Sequence, residues 1–228
     1  MHAPFQSLFA DYSDLDLTYK TDGAVAIDSL ARALAKAFNT NVRYGIFQHL
    51  PQRSLVWQRS QGIPMERVSF AAGQALPSWS WMAYHGQIEY PDTRYSVYWD
   101  TSVQFVEDKE SNASNNPEND GYVLKARVRR LRDCEIKPEG LRHVIRDEKD
   151  EVGHLCFDSQ PGKALTEVWC AIMVKETRGK DGKWQYYVLL VTECAMHPGC
   201  AKFKRVGMGW IQQRFILFDY EDDTAQIV

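Results

Sequence analysis

The sequence predicts a mainly β fold, an antiparallel sandwich or a barrel, with a small helical segment at the N-terminus. Three observations carry this reading. Helical periodicity is confined to the first forty or so residues, and from about residue 78 apolar side chains recur at every second position. Two later stretches, 168–174 and 184–191, are apolar on both faces. Between them lies Thr177-Arg178-Gly179-Lys180-Asp181-Gly182, whose Asp-Gly pair favours a hairpin turn.

Taken in order, residues 5–12 form a short amphipathic stretch. Asp28 can cap a helix whose apolar positions Leu30, Ala33, Leu34, Ala37 and Phe38 recur at helical spacing, with Asn39-Thr40-Asn41 as its stop. Leu55-Val56-Trp57 reads as a brief strand, and residues 62–73 read as a loop punctuated by Pro64 and Pro77. Over 95–107 the apolar positions Val97, Trp99, Val103 and Phe105 alternate with polar ones, as in a half-buried strand. The polar run 108–120 is a loop between strands. After it Tyr122, Leu124, Ala126 and Val128 face inward while Lys125, Arg127 and Arg129 face out. The both-faced stretches are two central strands. Residues 203–211 and 215–218 add strand candidates, with Gly207 and Gly209 marking a bulge or close packing. Residues 1–76 are thus read as a helical segment and loop packed on a sheet, and 77–228 as an antiparallel β domain, together one structural unit.

Composition narrows the function classes. A net charge of -3 gives no general attraction to nucleic acid or anionic membrane, and no apolar run approaches the length that spans a bilayer. Five scattered cysteines, an odd number, favour a reducing compartment, and a cytoplasmic location is expected. Seven Trp, eleven Tyr and ten Phe exceed ordinary usage, which fits a β core, a pocket, or both.

One segment is recognisable. Leu76-Pro77-Ser78-Trp79-Ser80-Trp81-Met82-Ala83, followed by His85-Gly86 and Ile88-Glu89-Tyr90, resembles the Pro-Ser-Trp-Ser-Trp motif of fungal heterokaryon-incompatibility (HET) proteins. Asp11-Tyr12-Ser13, Leu17-Thr18-Tyr19, Tyr44-Gly45-Ile46-Phe47 and Leu55-Val56-Trp57 are similar to stretches that precede that motif in the family. Tyr186-Tyr187-Val188-Leu189-Leu190, Arg205-Val206-Gly207-Met208-Gly209 and Gln226-Ile227-Val228 are similar to its last strands. The family's effector half has no counterpart here, so the resemblance implies a fold and not the cell-death activity. The physical reading beside it makes Trp79 and Trp81 neighbours on one strand face, burying a large area together.

No phosphate-binding Gly-rich loop, nucleophile elbow, His-Glu-x-x-His or dinucleotide fingerprint occurs, so no cofactor is expected. Cys194, His197 and Cys200, with His154 and Cys156, have a loose metal-like look. Their spacing fits a turn and buried cysteines better, and no metal is expected. The Lys125–Arg132 cations read as a solvated strand face rather than a nucleic-acid site. What remains is an aromatic and titratable set near the Trp block. His85, Tyr98 and Asp100 are the catalytic candidates, and Trp81, Tyr84, Tyr90 and Tyr95 would line a ligand cavity.

Two functions follow. The favoured one is a cofactor-independent biosynthetic enzyme of the cyclase or pericyclase type, holding an apolar small molecule in an aromatic cavity, where shape and one or two hydrogen bonds suffice. The alternative is a non-catalytic HET-family module that recognises a protein partner. Neither nucleic acid nor membrane is an expected partner. An enclosed cavity of roughly 300 Å³ or more separates the first reading from the second.

Overall fold

The structure is a computed structural model and describes residues 4–15, 20–60, 65–70, 76–93, 97–107, 122–132, 134–140, 142–148, 150–159, 168–178, 182–194, 202–218 and 223–228. Two helices open the chain, α1 (Pro4–Ser13) and α2 (Lys20–Ala37). A small hairpin of β1 (Val42–Arg43) and β2 (Ile46–Phe47) leads to the short helix α3 (Pro51–Leu55). Four further short strands follow: β3 (Gln58–Arg59), β4 (Glu66–Arg67), β5 (Tyr84–His85) and β6 (Ile88–Glu89). They pair as β3–β6 and β4–β5.

The remaining strands make one sheet. They are β7 (Val97–Trp99), β8 (Gln104–Glu107), β9 (Tyr122–Arg130), β10 (Glu135–Glu139), β11 (Arg142–Asp147), β12 (Asp150–Phe157), β13 (Val168–Arg178), β14 (Lys183–Glu193), β15 (Lys202–Gln212) and β16 (Asp223–Ile227). Five of them close into a barrel in the order β15–β14–β13–β9–β16 and back to β15. The mainly β expectation holds, with one refinement. The ring closes on a parallel pair, Lys202 opposite Gln226 and Phe203 opposite Ile227, while every other pairing among the described strands is antiparallel. Closure removes the open edges that a flat sheet would expose.

The alternation in β9 builds the barrel wall as expected. Leu124, Ala126 and Val128 point in, opposite Ile227 and Ala225 of β16, while Lys125 and Arg127 are exposed. In β13 and β14 both faces are buried because a second core lies outside the ring. Tyr187, Leu189 and Val191 face the interior, and Tyr186, Val188 and Leu190 face a wing formed by β10, β11 and β12. The wing continues the sheet from β15, whose Gly207–Ile211 half pairs with β12 while its Lys202–Phe203 start pairs with β16. Gly207 and Gly209 permit that contact. A Cβ on Gly207 would lie 2.4 Å from the Cys156 carbonyl oxygen, and one on Gly209 2.5 Å from that of His154.

Several local expectations are corrected. Helix α2 begins at Lys20, so Asp28 lies inside it and pairs with Arg32 at 2.5 Å instead of capping it. Its buried positions are Ile27, Ala31 and Ala35, whereas Leu30 and Phe38 are exposed. Leu55 ends a helix rather than starting a strand. The expected single strand over 95–107 is two strands split by a turn. There the Asp100 carboxylate accepts from the Ser102 backbone N–H (2.8 Å) and hydroxyl (2.6 Å). β7 pairs with β13 and β8 with β9, so the pair spans the place where β13 and β9 part. Trp79 and Trp81 do not share a strand. Ser80 accepts from the Met82 N–H and starts a 3-10 turn over Trp81–Ala83. Residues 215–218 make a single bridge, Ile216 to Leu131, after another such turn. Within the expected loop at 62–73, the described part contains β4, and residues 62–64 and 71–73 lie outside the described residues.

The Trp block and the helices close the barrel interior. Trp57 and Trp79 have no solvent exposure, and the Trp57 Nε1–H donates to the Trp79 carbonyl at 3.0 Å. Burying each indole removes on the order of 200 Å² from water, worth about 5 kcal/mol relative to exposure. Beside them Arg205 of β15 is buried with its guanidinium 3.2 Å from the Trp57 ring centre. It donates to Asp158 (2.9 and 3.2 Å) and to the carbonyls of Leu55 (2.9 Å) and Trp57 (2.6 Å). The Ser78 hydroxyl accepts from the Arg205 N–H at 2.9 Å and donates to the Val228 carbonyl. One buried cation therefore ties the N-terminal segment to the barrel, its charge balanced by one carboxylate and its remaining donors satisfied by backbone.

Candidate functional site

The Trp block also floors a surface cleft. Gly45, in the left-handed region at φ 76°, makes room for the Trp81 indole, since a Cβ there would come within 2.7 Å of Nε1. Trp81 then packs against Phe9 of α1, ring centres 5.2 Å apart. Above it the end of α1 supplies Tyr12 and Ser13, the segment after it supplies Leu15, and the first turns of α2 supply Gly23 and Ala24. Met82, Tyr84, His85 and Gly86 form the opposite wall. The cleft holds about 430 Å³ of empty space, part of it open solvent, so it is a surface groove rather than an enclosed chamber.

Its hydroxyls are committed to structure. Tyr12 donates to the Gly23 carbonyl at 3.1 Å, tying α1 to α2. Ser13 donates to the Ala10 carbonyl (2.7 Å) and accepts from the Ile88 N–H (2.9 Å). Tyr84 donates to the Ser78 carbonyl at 3.3 Å. Burial, reinforced by Asp158 and partly offset by Arg205 and Arg67, pushes the Tyr84 phenol up to about 12. Burial, then Asp22, raises that of Tyr12. Neither phenol supplies a phenolate base near neutral pH.

The residues singled out in the sequence fall in different places. Trp81, Tyr84 and His85 meet in the cleft, His85 half-buried on β5 opposite Glu66. Tyr90 is buried in the core, its phenol pushed far up by burial and its hydroxyl without a hydrogen-bond partner among the described residues. Tyr98 is 59% exposed on the outer face of β7, edge-on to Trp184 with ring centres 5.8 Å apart and Lys175 Nζ 5.3 Å from its ring centre. Asp100 spends its carboxylate on the turn it closes. The three catalytic candidates therefore do not form one constellation: His85 lines the cleft, and Tyr98 and Asp100 do not. Tyr95, His197 and Cys200 lie outside the described residues. Among the described residues, no group of three His, Cys, Asp or Glu side chains could hold a metal ion. Among them also, no helix is long and apolar enough to cross a membrane.

Sequence reasoning missed the helical half of the cleft. Leu15 sits between Asp14 and Asp16, and a single leucine in an acidic stretch carries no signal of its own. Gly23 inside a helix weakens it relative to alanine, a sign that something packs close by. Arg205 was also legible: it shares alternation parity with Phe203, so it had to point inward and find a partner.

No family model matches the chain, and no curated protein or solved structure matches it.

Proposed function

We propose that the chain is a non-catalytic recognition module of the heterokaryon-incompatibility type that docks a short apolar segment of a protein partner in the cleft between α1, α2 and the Trp81–Gly86 wall. The observation that carries this is the chemistry of the cleft. Its lining is aromatic and aliphatic, it opens to solvent beside the exposed Leu15, and its hydroxyls are used internally. Such a surface offers buried area and shape, with His85 as the imidazole in its lining. The Ser-Trp-Ser-Trp block that underlies the family resemblance supports the same reading, because it makes both the core plug and the cleft floor.

The cyclase reading needs a hollow that can fold a substrate on itself. Among the described residues Trp57, Trp79, Met173 and Arg205 are buried in the core, and the cleft that holds His85 is open to solvent. A photoreactive benzoylphenylalanine at Ala24 separates the two. Expressed in its native cell, the protein should crosslink one partner protein from Ala24 and none from Lys137 on β10. A small-molecule adduct at Ala24 would return the cyclase to favour, and crosslinking of the same protein from both positions would remove the docking reading.

A further inference from the structure

We infer that the segment docked in the cleft is basic as well as apolar: a partner peptide whose apolar anchors are flanked by Lys or Arg, met by the carboxylates of Asp14 and Asp22 at the cleft mouth. The inference rests on the reading of the cleft as a docking site and adds the chemistry of its occupant.

The negative charge of the chain is concentrated here. Residues 11–22 (DYSDLDLTYKTD) carry four aspartates and one lysine, a net charge of -3, which is the formal charge of the whole chain. The other residues therefore balance to zero, and the excess sits in the stretch that supplies Tyr12, Ser13 and Leu15 to the cleft. Asp14 lies between the lining residues Ser13 and Leu15, and Asp22 precedes the lining residue Gly23. Both are exposed, and neither makes an ion pair among the described residues. Asp22 also stands close enough to Tyr12 for its charge to help raise that phenol, which puts it at the same opening.

The placement of these acids on the helices is informative. An acid in the first turn of α2 is favoured by the helix dipole, so Asp22 has an ordinary structural use. Asp11 in the last turn of α1 and Asp14 just beyond it have none, because a helix C-terminus favours cations, and α1 ends without one. Carboxylates kept where the local helix disfavours them point to a cation supplied from outside the chain.

Across the cleft Glu66 of β4 is opposite His85. The cation of that wall, Arg67, donates to the Leu76 carbonyl at 2.8 Å and lies 6.0 Å from the Tyr84 ring centre. The helical rim stays negative. That sign disfavours nucleic acid and an anionic membrane surface, so the exposed Leu15 fits a protein segment. Apolar anchors supply buried area, while opposite charge at the mouth steers the approach and selects among apolar peptides.

The test uses fluorescence anisotropy with the full chain and labelled peptides of about twelve residues, Leu and Lys at helical spacing, with matched forms in which every Lys is Gln or Glu. At about 50 mM salt the Lys form should bind about tenfold or more tighter than the Gln form, with the Glu form weakest, and about 200 mM salt should narrow the gap. Asp14→Asn with Asp22→Asn should remove most of the Lys form's advantage and leave the Gln form within about twofold. Glu148→Gln with Asp150→Asn, the same change in net charge at the turn between β11 and β12, should leave both forms within about twofold. Leu15→Ser should weaken both forms. Thermal melts check folding, and Asp14→Asn alone replaces the pair if losing Asp22 loosens α2. Equal binding of the Lys and Gln forms, both weakened by Leu15→Ser, overturns the inference and leaves the docking reading standing. Lys-form binding that ignores Leu15→Ser, or equal losses from the two carboxylate pairs, places the peptide elsewhere and also overturns it. No binding by any form overturns it too, and the Ala24 crosslink then decides the docking reading by itself.

Discussion

The space inside the barrel and the space beneath the wing are both buried, yet different forces fill them. Inside, the largest side chains are indoles and a guanidinium: Trp57, Trp79 and Arg205, the last neutralised by Asp158 and stacked on Trp57. Beneath the wing the filling is largely aliphatic, with Ile145, Val152, Leu155, Val188, Leu190, Ile211 and Ile216, and the backbones of β12 and β15 touch at Gly207 and Gly209. The barrel interior depends on matched polar groups, because a buried charge without its partner is costly. The wing depends on volume, because close-packed aliphatics and touching backbones have no room to give. Each region should therefore fail by a different kind of substitution.

The largest effect is expected inside the barrel. Asp158→Ala leaves the Arg205 guanidinium buried without its carboxylate and should cost about 3–5 kcal/mol in denaturant unfolding. Replacing both partners, Asp158→Leu with Arg205→Met, should recover much of that loss. Equal destabilisation by the single and double variants would mean that packing, not charge balance, governs this core. Next comes Gly207→Ala beneath the wing, where the added methyl meets the Cys156 backbone. A loss of about 1–3 kcal/mol by urea titration is expected, and a neutral result would show that β12 can slide away from β15.

A smaller effect concerns pH. His143 on β11 is buried edge-on to Phe157, ring centres 5.2 Å apart, and its Nδ1 has no hydrogen-bond partner among the described residues. Burial, then the nearby Arg59 charge, lowers its pKa below the ordinary histidine value. The unfolded chain therefore takes up this proton at a higher pH than the folded one. The stability linked to the neutral imidazole is complete above about pH 6.5 and is lost as pH falls from there towards the lowered folded pKa. His143→Gln should flatten that part of the pH–stability profile relative to the parent, and an unchanged profile would assign the acid sensitivity elsewhere. The smallest effect on stability belongs to neither core. Leu15→Asp, at an exposed position in the cleft, should stay within about 0.5 kcal/mol of the parent in a melt while abolishing the Ala24 crosslink.

The sequence was most readable where one physical cause set the pattern. Alternation in β9, two-faced burial in β13 and β14, and close backbone contact at Gly207 and Gly209 each leave a local mark. The wing left almost none. β10 (EIKPE) is a charged edge strand interrupted by Pro138, and β11 carries Arg142, His143, Arg146 and Asp147 among few apolar residues. Its aliphatics are buried only because β13 and β14 expose a second face to them. Helix α2 misled for the opposite reason. It carries apolar residues on both sides, so Leu30, Ala33 and Phe38 suggested a face that the fold leaves in solvent, while Ile27, Ala31 and Ala35 turn inward. At the candidate site, closeness in sequence does not place the residues on one element. His85, Tyr98 and Asp100 are close in sequence, but Tyr98 and Asp100 belong to β7, paired to β13, and the turn after it, whereas His85 is on β5, paired to β4. The helical half of the cleft comes from residues 60 or more positions upstream, a distance over which single-residue patterns carry no information.

β15 is the one strand common to the barrel and the wing. From Met208 to Ile211 it is hydrogen-bonded to β14 on one edge and β12 on the other. Each amide along that seam is bonded to one neighbour or the other and neither edge of the strand is open, so these protons should exchange slowly with deuterium. Breathing must start instead at the fork where β13 and β9 diverge and only short β7 and β8 bridge the gap. The barrel therefore has a fixed spine and a soft corner.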